Sequence, residues 1–404
     1  MKEFWTLEEH GTIGDDEKEL VRNSILQLLI AETDSSIRQI ISDIVYNIIQ
    51  SDYIKGRWPG FLPTVLANIT SQDGFKIYNA LLALRKIAKF FEFKQQDMRG
   101  SLDEIIQTSF PILQSLVASL LENNEIEAAQ IMRLCLKVFY SSTVYALPQV
   151  QGIDVNFWFN SLAHIIQKKL PEASEGLEPT GQPTSIEERT SWPWWKLKKW
   201  AVRIVNQFIQ RYGNPRTASE LYQAFANFFR ANIAPLMLGP IMNNLALKAS
   251  GGFITDNIHR MCLSYMMSAV EMSPTFKLIK PHMDFVLFQA IFQTLCLSKE
   301  DIQLFTDDPV EFVRRIHDPM DDWMDPRTSA INLLQTLARY RAKDVLPRLL
   351  PFMESVLQTY GETALDSRNY IAKDGVLVAF ATISKVTLLL PLLLPLPLPL
   401  PPMY

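Results

Sequence analysis

The sequence predicts an all-α protein, built as a right-handed superhelical solenoid of paired helices. Three observations predict this fold class. Apolar residues recur at helical spacing along most of the chain. Glycine is scarce, at 15 of 404 residues, and Asn-Gly or Asp-Gly turns are few, which is unlike a hairpin-rich β protein. A length above roughly 250 to 300 residues also argues against one round core.

The first clear helix is predicted to begin near Asp34 and Ser35, whose side chains can accept hydrogen bonds from the first free N–H groups. One helical stripe follows, formed by Ile37, Ile40, Ile41, Ile44, Val45, Ile48 and Ile49. A second stripe comprises Phe75, Tyr78, Leu81, Leu82, Ile87 and Phe91, and others centre on 105–121, 131–140 and 157–166. Each stripe predicts a helix with one buried face.

The second half of the chain repeats the pattern. A stripe from Trp200 to Tyr212 is closed by Gly213, which we expect to form a left-handed cap, and is stopped by Asn214-Pro215. Later stripes comprise Leu221, Phe225, Phe228, Phe229 and Ile233, then Ile331, Leu334, Leu337 and Ala338, then Leu346, Leu349, Leu350, Met353 and Leu357. The helices form pairs about 40 to 47 residues apart, which is typical of HEAT-type repeats.

Residues 1–385 are therefore predicted to form the solenoid, with two interruptions. The segment 171–190 is rich in proline, glycine and acids, and we expect an exposed insert. The acidic segment 299–325 is expected to contain one short helix between turns. Residues 386–404 form a Leu/Pro low-complexity tail foreign to the fold, and its alternating prolines exclude a membrane-spanning helix.

Charge and cysteine content narrow the class of protein. The formal net charge is −4, so the overall field offers no attraction to nucleic acid or to an acidic membrane. The cysteines Cys135, Cys262 and Cys296 lie far apart in apolar helical stretches, which favours buried free thiols in a reducing compartment. The first ten residues lack the apolar core of a secretory signal, so an intracellular location is expected.

The sequence lacks the motifs that place a metal, a nucleophile or a phosphate, among them HExxH, paired CxxC, GxSxG and GxxxxGK. The five histidines have no partner at metal-ligand spacing. His317-Asp318 could pair a base with an orienting carboxylate, but neighbours in sequence do not define a geometry. We expect no enzymatic activity, no cofactor and no metal.

The most unusual string is Trp192-Pro-Trp-Trp-Lys-Leu-Lys-Lys-Trp200, with four tryptophans and three lysines. Aromatic residues interleaved with bases can bind single-stranded nucleic acid. The favoured interpretation is structural: Pro193 starts a helix, the tryptophans pack against adjacent repeats and the lysines stay in water. No direct nucleic-acid partner is expected.

This string resembles the importin seven and eight branch of the importin-β superfamily. The resemblance extends, in the same order, to Asp52-Tyr-Ile-Lys-Gly-Arg-Trp58, Lys280-Pro-His282, Asp308-Pro-Val-Glu-Phe-Val-Arg314 and Lys373-Asp-Gly375. It implies a HEAT-repeat nuclear import receptor that carries protein cargo and releases it to GTP-bound Ran. It also implies binding to nucleoporins, importin-β as a co-receptor, and a location in cytoplasm, nucleus and nuclear pore.

The chain departs from the family pattern at both ends and resembles a receptor truncated there. It resembles the family from within the second repeat, at Phe4-Trp5, so Lys76, Arg85 and Lys86 are expected to supply only part of the Ran contact. The Leu/Pro tail resembles the translation of an intron or of a shifted frame. The alternative is a transport-defective scaffold or competitor isoform produced by truncation.

A cargo site is expected in the acidic segment. Between Glu300 and Asp325 nine acids face two arginines, for a net charge of −7. Basic cargo, such as ribosomal proteins or histones, would be attracted to Asp318, Asp321 and Asp322. A solvated loop in which Asp308 and Glu311 start a helix is the equally acceptable alternative.

Overall fold

The computed structural model describes Trp5 and residues 13–95, 98–148, 153–170, 181–316 and 325–387. Within these ranges the regular secondary structure is helical, and no strand is present. The all-α prediction is confirmed. The chain divides into two compact units, Met1–Ile204 and Val205–Tyr404. Among the described helices, none combines the length and apolar composition that crossing a bilayer requires.

The first unit contains helices α1 to α9, of which α9 continues into the second unit. Their bounds are Asp15–Ala31 (α1), Ser35–Ile48 (α2), Phe61–Ile69 (α3), Gly74–Phe91 (α4), Gly100–Leu120 (α5), Ile126–Thr143 (α6), Val155–Gln167 (α7), Ile186–Ser191 (α8) and Pro193–Arg211 (α9). The predicted start of α2 is confirmed, since Asp34 Oδ1 accepts from the backbone N of Ser36 at 2.8 Å and of Ile37 at 3.0 Å.

The second unit contains helices α10 to α18. Their bounds are Gln223–Phe228 (α10), Ala234–Ala249 (α11), Asp256–Glu271 (α12), Ser273–Ile279 (α13), Phe292–Leu295 (α14), Lys299–Asp307 (α15), Pro309–Ile316 (α16), Pro326–Glu362 (α17) and Tyr370–Thr387 (α18). A π-helical turn, Phe229–Ile233, joins α10 to α11, and another, Phe285–Ile291, precedes α14. Helix α17 bends at Arg341 and packs against α12 and α18.

The helices of the first unit form two layers. Helices α3, α5 and α7 lie side by side in one layer, and α2, α4 and α6 in the other. Helix α9 continues the second layer, because the rings of Tyr140 on α6 and Trp200 on α9 are 5.2 Å apart. Side-chain hydrogen bonds connect residues 41, 43, 47 and 49 positions apart, as from Lys86 to Asp43. The first three separations lie within the predicted repeat of about 40 to 47 residues, and the fourth is slightly longer.

The carboxyl ends of several helices receive hydrogen bonds from side chains that come later in the chain. Such ends carry unpaired carbonyl groups and a partial negative charge. Lys168 Nζ donates to the carbonyls of Leu121 and Asn123 at 2.8 and 2.9 Å, just beyond α5. The same kind of contact links Lys198 to α7, Asn79 to α1, Arg341 to α12 and Arg327 to α14. Consecutive helical pairs are therefore joined by polar as well as apolar contacts.

The predicted role of Gly213 is wrong. We expected a left-handed cap, but positive φ occurs at Gly251 and not at Gly213. Gly213 is needed for close packing, because a Cβ there would lie 2.8 Å from the Cα of Ile209 and 2.9 Å from the ring of Phe229. The left-handed cap ends α11, where Gly251 has a φ of 83°.

The acidic interruption differs from its predicted form. The described part of the acidic segment holds two helices rather than one, α15 and α16, because α15 ends at Asp307 and Pro309 begins a new first turn after Asp308. Residues 317–324, 171–180 and 388–404 lie outside the described residues. After residues 171–180, α8 forms a short exposed helix. Helix α18 extends to Thr387, two residues past the expected end of the solenoid at residue 385.

Candidate functional site

The residues that the sequence nominated for partner binding have different surroundings. Lys76 is exposed in the first turn of α4, and Arg85 is half-buried further along the same helix. Lys86 is buried and forms an ion pair with Asp43, Nζ to Oδ1 2.6 Å, which lowers the pKa of Asp43. Asp318, Asp321 and Asp322 lie outside the described residues.

Arg85 belongs to a group of positive side chains on one layer of the first unit. We call this group the basic cluster, and its members come from α4, α6 and α9: Arg85, Arg133, Lys137, Lys196, Lys199 and Arg203. All six side chains are half-buried. Within the described part of the chain, none of the six has a carboxylate within ion-pair distance.

Helical spacing places these side chains on one face. On α6, Arg133 and Lys137 are four residues apart, and on α9, Lys196, Lys199 and Arg203 are three and four apart. Apolar residues between them point into the core; Leu197 and Leu136, for example, are fully buried. Because α6 lies beside α4 and α9, the three charged faces meet in one area.

Burial and the neighbouring positive charges both disfavour the charged forms of the side chains in the cluster. Burial, followed by the positive charges of Arg85, Arg133, Lys199 and Lys196, lowers the pKa of Lys137 to about 7. Burial is also the main cause that lowers the pKa of Lys199 and of Arg85. The Nε atoms of Arg85 and Arg133 are buried without a hydrogen-bond partner. A buried N–H group without an acceptor lowers the stability of the fold, and so does a partly buried charge without an opposite charge beside it.

One acid lies near the edge of the cluster. Glu92, just after the end of α4, partly offsets the lowering of the pKa of Arg85 by burial, and it accepts a hydrogen bond from Ser141 Oγ at 3.0 Å. A single carboxylate cannot balance six positive groups. The cluster therefore remains a strongly positive surface.

The tryptophans of the 192–200 string have the structural role that we favoured. Trp192, Trp194 and Trp195 are buried, and Pro193 begins α9. Trp200 is half-buried and lies between two cations, with Lys137 Nζ at 5.4 Å and Arg203 Cζ at 4.9 Å from its ring. This arrangement leaves no row of free aromatic faces on which bases could stack.

The expectation that all lysines of this string stay in water is wrong for Lys198. Its side chain is buried, and Nζ donates to the carbonyl of Ile166 at 2.8 Å at the end of α7. A buried ammonium group is tolerated here because the helix terminus supplies a carbonyl partner and a negative partial charge. Lys196 and Lys199, on another face, remain in the basic cluster.

In the described part of the acidic segment, Asp308 and Glu311 lie at the start of helix α16, as expected if these acids cap a helix rather than bind cargo. Asp308 Oδ1 accepts from the backbone N of Val310 at 3.1 Å and of Glu311 at 2.9 Å. Glu311 also pairs with Arg314 at 2.8 Å. These carboxylates serve α16, so any attraction for basic cargo would depend on the other acids of the segment.

Sequence reasoning missed most of the basic cluster. The available signal was the spacing of basic residues at 133 and 137 and at 196, 199 and 203, each at helical intervals. The sequence does not show that α4, α6 and α9 pack side by side, which is what brings these basic residues together.

Three comparisons place the chain among known proteins. The Cse1 family matches residues 91–388. The "Importin beta-like SAD2 homolog" of Arabidopsis thaliana is 30% identical over 93% of this chain and 36% of its own length. "Importin-8" of Homo sapiens is 27% identical over 93% of this chain and 35% of its own. The chain thus spans about a third of the length of these relatives.

A solved structure shares the fold. The exportin Cse1 in its cargo-free, cytoplasmic state has a TM-score of 0.67 and 17% identity, covering 94% of this chain and 39% of that chain. At this identity the likeness concerns the fold alone, and it confirms the predicted helical solenoid.

Proposed function

The chain belongs to the Cse1 family and to the importin-8 branch of the importin-β superfamily, and from this membership we propose that it is part of a nuclear transport receptor. The proposed function is binding of protein cargo, Ran-GTP and nucleoporins rather than catalysis. The proposed location is the cytoplasm, the nucleus and the nuclear pore. The chain spans about a third of its relatives, so the activity of a whole receptor is itself proposed.

The observation that carries this proposal is the family match together with the repeating helical pairs. A stack of such pairs presents a long row of side chains from successive helices. Surfaces of this kind bind proteins over a large area without a deep pocket. Two charged regions offer contacts: the basic cluster in the first unit and the acidic segment 299–325 in the second.

We test cargo binding by replacing Asp318, Asp321 and Asp322 together with asparagine. The change removes three negative charges with little change of shape, so affinity for a basic ribosomal protein should fall, and it should fall most at low salt. Surface plasmon resonance at two salt concentrations measures the effect.

The matched control replaces three exposed acids elsewhere by the corresponding amides: Glu104, Glu354 and Asp366. Equal affinity for the triple aspartate variant and the unchanged chain would contradict a cargo site at these aspartates. Equal losses in variant and control would indicate attraction by total charge alone.

Ran binding is tested with Lys76→Ala, because Lys76 is exposed whereas Lys86 is held by Asp43. A contact at Lys76 predicts weaker binding of Ran-GTP, with Lys169→Ala as the exposed control. If the chain binds cargo, but Ran-GTP does not bind the chain and does not release the cargo from it, the transport-defective competitor is the better description.

A further inference from the structure

We infer that the basic cluster is a docking surface for an extended acidic protein segment whose carboxylates recur at every third residue. Six half-buried cationic groups, Arg85, Arg133, Lys137, Lys196, Lys199 and Arg203, share this face without a described carboxylate partner. A folded chain pays for such crowding in stability, and an anionic partner would relieve it. This surface can bind such a segment whether or not the chain transports cargo.

The arrangement of the helices favours an extended partner. The cations project from α4, α6 and α9, which lie side by side. Packed neighbouring helices are about 8 to 10 Å apart. A polyproline-type chain has three residues per turn and rises about 3.1 Å per residue, so side chains at every third position lie on one face about 9 Å apart. Carboxylates at that interval would meet successive helices.

The aromatic residues favour a protein partner over single-stranded nucleic acid. Nucleic-acid grooves combine positive charge with aromatic faces that stack on bases. Here Trp192, Trp194 and Trp195 are buried, and Lys137 and Arg203 lie against the ring of Trp200. Guanidinium groups also suit carboxylates, which they can bind with two parallel hydrogen bonds. Arg85, Arg133 and Arg203 supply three such groups.

Binding should be linked to proton uptake at Lys137. With a pKa of about 7, the free side chain is half protonated at neutral pH. The charged groups that act on it are Arg85 on α4, Arg133 on α6, and Lys196 and Lys199 on α9. Arg203 on α9 shares the ring of Trp200 with Lys137, and Tyr78, Tyr140 and Glu92, the residue after α4, interact with Arg85 or Arg203. A bound carboxylate would raise this pKa, so affinity should be about tenfold higher at pH 6 than at pH 8.

The first experiment measures fluorescence anisotropy with a labelled peptide that repeats Glu-Pro-Ala four times. A peptide of the same composition with its glutamates in one block tests the spacing, and oligo-dT tests nucleic acid. We expect the repeating peptide to bind most tightly, with affinity that decreases as salt increases. Equal binding of the block peptide, or tighter binding of oligo-dT at the same salt, would overturn the inference.

The variant Lys196→Gln/Lys199→Gln/Arg203→Gln should weaken peptide binding about tenfold or more, since it removes three partly exposed ion pairs. Removal of like charges should leave stability equal or higher, and circular dichroism with a thermal melt checks this. The control Lys169→Gln/Lys248→Gln/Lys277→Gln removes the same charge from exposed sites and should change affinity less than about twofold. A control as damaging as the cluster variant would show that only net charge matters.

Lys137→Arg provides an independent test, because arginine stays charged at all these pH values. This variant should bind the repeating peptide nearly as tightly at pH 8 as at pH 6. The same loss between pH 6 and pH 8 as in the unchanged chain would show that Lys137 does not contact the acidic segment.

Discussion

Arg99 shows how a single buried charge can join two helices. Its guanidinium is completely buried, and it donates to the carbonyl of Phe91 at 3.1 Å and to the carbonyl of Ser142. These carbonyls lie at the carboxyl ends of α4 and α6. The cation thus interacts favourably with two helix termini at once.

Replacing Arg99 with methionine should lower the free energy of unfolding of the first unit by about 3 kcal/mol or more, because two buried carbonyls lose their donor. Urea unfolding followed by circular dichroism measures the change. Lys89→Met, an exposed position on α4, is the control and should stay within about 0.5 kcal/mol of the unchanged chain. Equal stability of the two variants would exclude this role for Arg99.

His259 should make the second unit sensitive to acid. Burial, and then the positive charge of Lys248, lowers its pKa to about 4, and its Nε2 lies 3.4 Å from Thr294 Oγ1. Because the folded-state pKa is below the unfolded value of about 6.5, the neutral ring contributes stability above pH 6.5. That stability is lost as the pH falls from 6.5 to 4, by about 2 kcal/mol at pH 5.

Chemical unfolding at pH 7.5 and pH 5.0 tests this expectation with His259→Gln, which cannot take up the proton. The variant should lose about 2 kcal/mol less than the unchanged chain between the two pH values. The exposed His282→Gln serves as control and should keep the full loss. An unchanged pH dependence in His259→Gln would mean that other groups cause the acid sensitivity.

At the scale of the helices, Gly375 allows α18 to approach α14 and the residue after it. A Cβ at this position would lie 2.6 Å from Cys296 Sγ and 3.2 Å from the ring of Phe292. The glycine of the Lys373-Asp-Gly375 motif is therefore needed for space rather than for an unusual backbone angle. Arg327 on α17 bridges the same two helices, because it donates to the carbonyl of Leu295 at the end of α14 and forms an ion pair with Asp374 on α18.

Gly375→Ala should destabilise the second unit by about 1 to 3 kcal/mol, because the new methyl group overlaps the cysteine sulfur. Cys296→Ala removes that sulfur, so the double variant should recover most of the loss in a double-mutant cycle. Gly361→Ala, in open space near the end of α17, should instead gain a few tenths of a kcal/mol. Purely additive effects of Gly375→Ala and Cys296→Ala would contradict the clash.

Helix positions could be predicted from the sequence because burial imposes a period on apolar residues. The start of α2 at Asp34 followed from capping chemistry, and its structure agrees. The cap at Gly213 was mispredicted because a glycine after a helix can be required either for a positive φ or for close packing, and the sequence does not distinguish the two. The basic cluster was missed because its residues come from three helices whose adjacency is a property of the fold.

At the scale of the whole chain, a small net charge conceals two opposite local charges. The total is −4, yet the first unit carries six clustered cations and residues 300–325 carry a net −7. Composition alone therefore gave no indication of charged partners, whereas the two proposals would bring acidic partners to the basic cluster and basic partners to residues 300–325. Both interactions should weaken with salt, since partly exposed charges are screened beyond about 8 Å at physiological ionic strength.

The helix ends that are capped by later side chains also have a consequence for synthesis on the ribosome. The carbonyls of Leu121 and Asn123, after α5, cannot be capped until Lys168 has been synthesised, 47 and 45 residues further on. The carbonyl of Ile166, in α7, depends in the same way on Lys198, 32 residues further on. At about 5 to 20 residues per second, these carbonyls lack their donors for roughly 2 to 9 seconds after they are synthesised. We therefore expect the newest pair to be the least stable one and folding to advance along the nascent chain in the order of translation, so that a pause in translation leaves one pair accessible to chaperones.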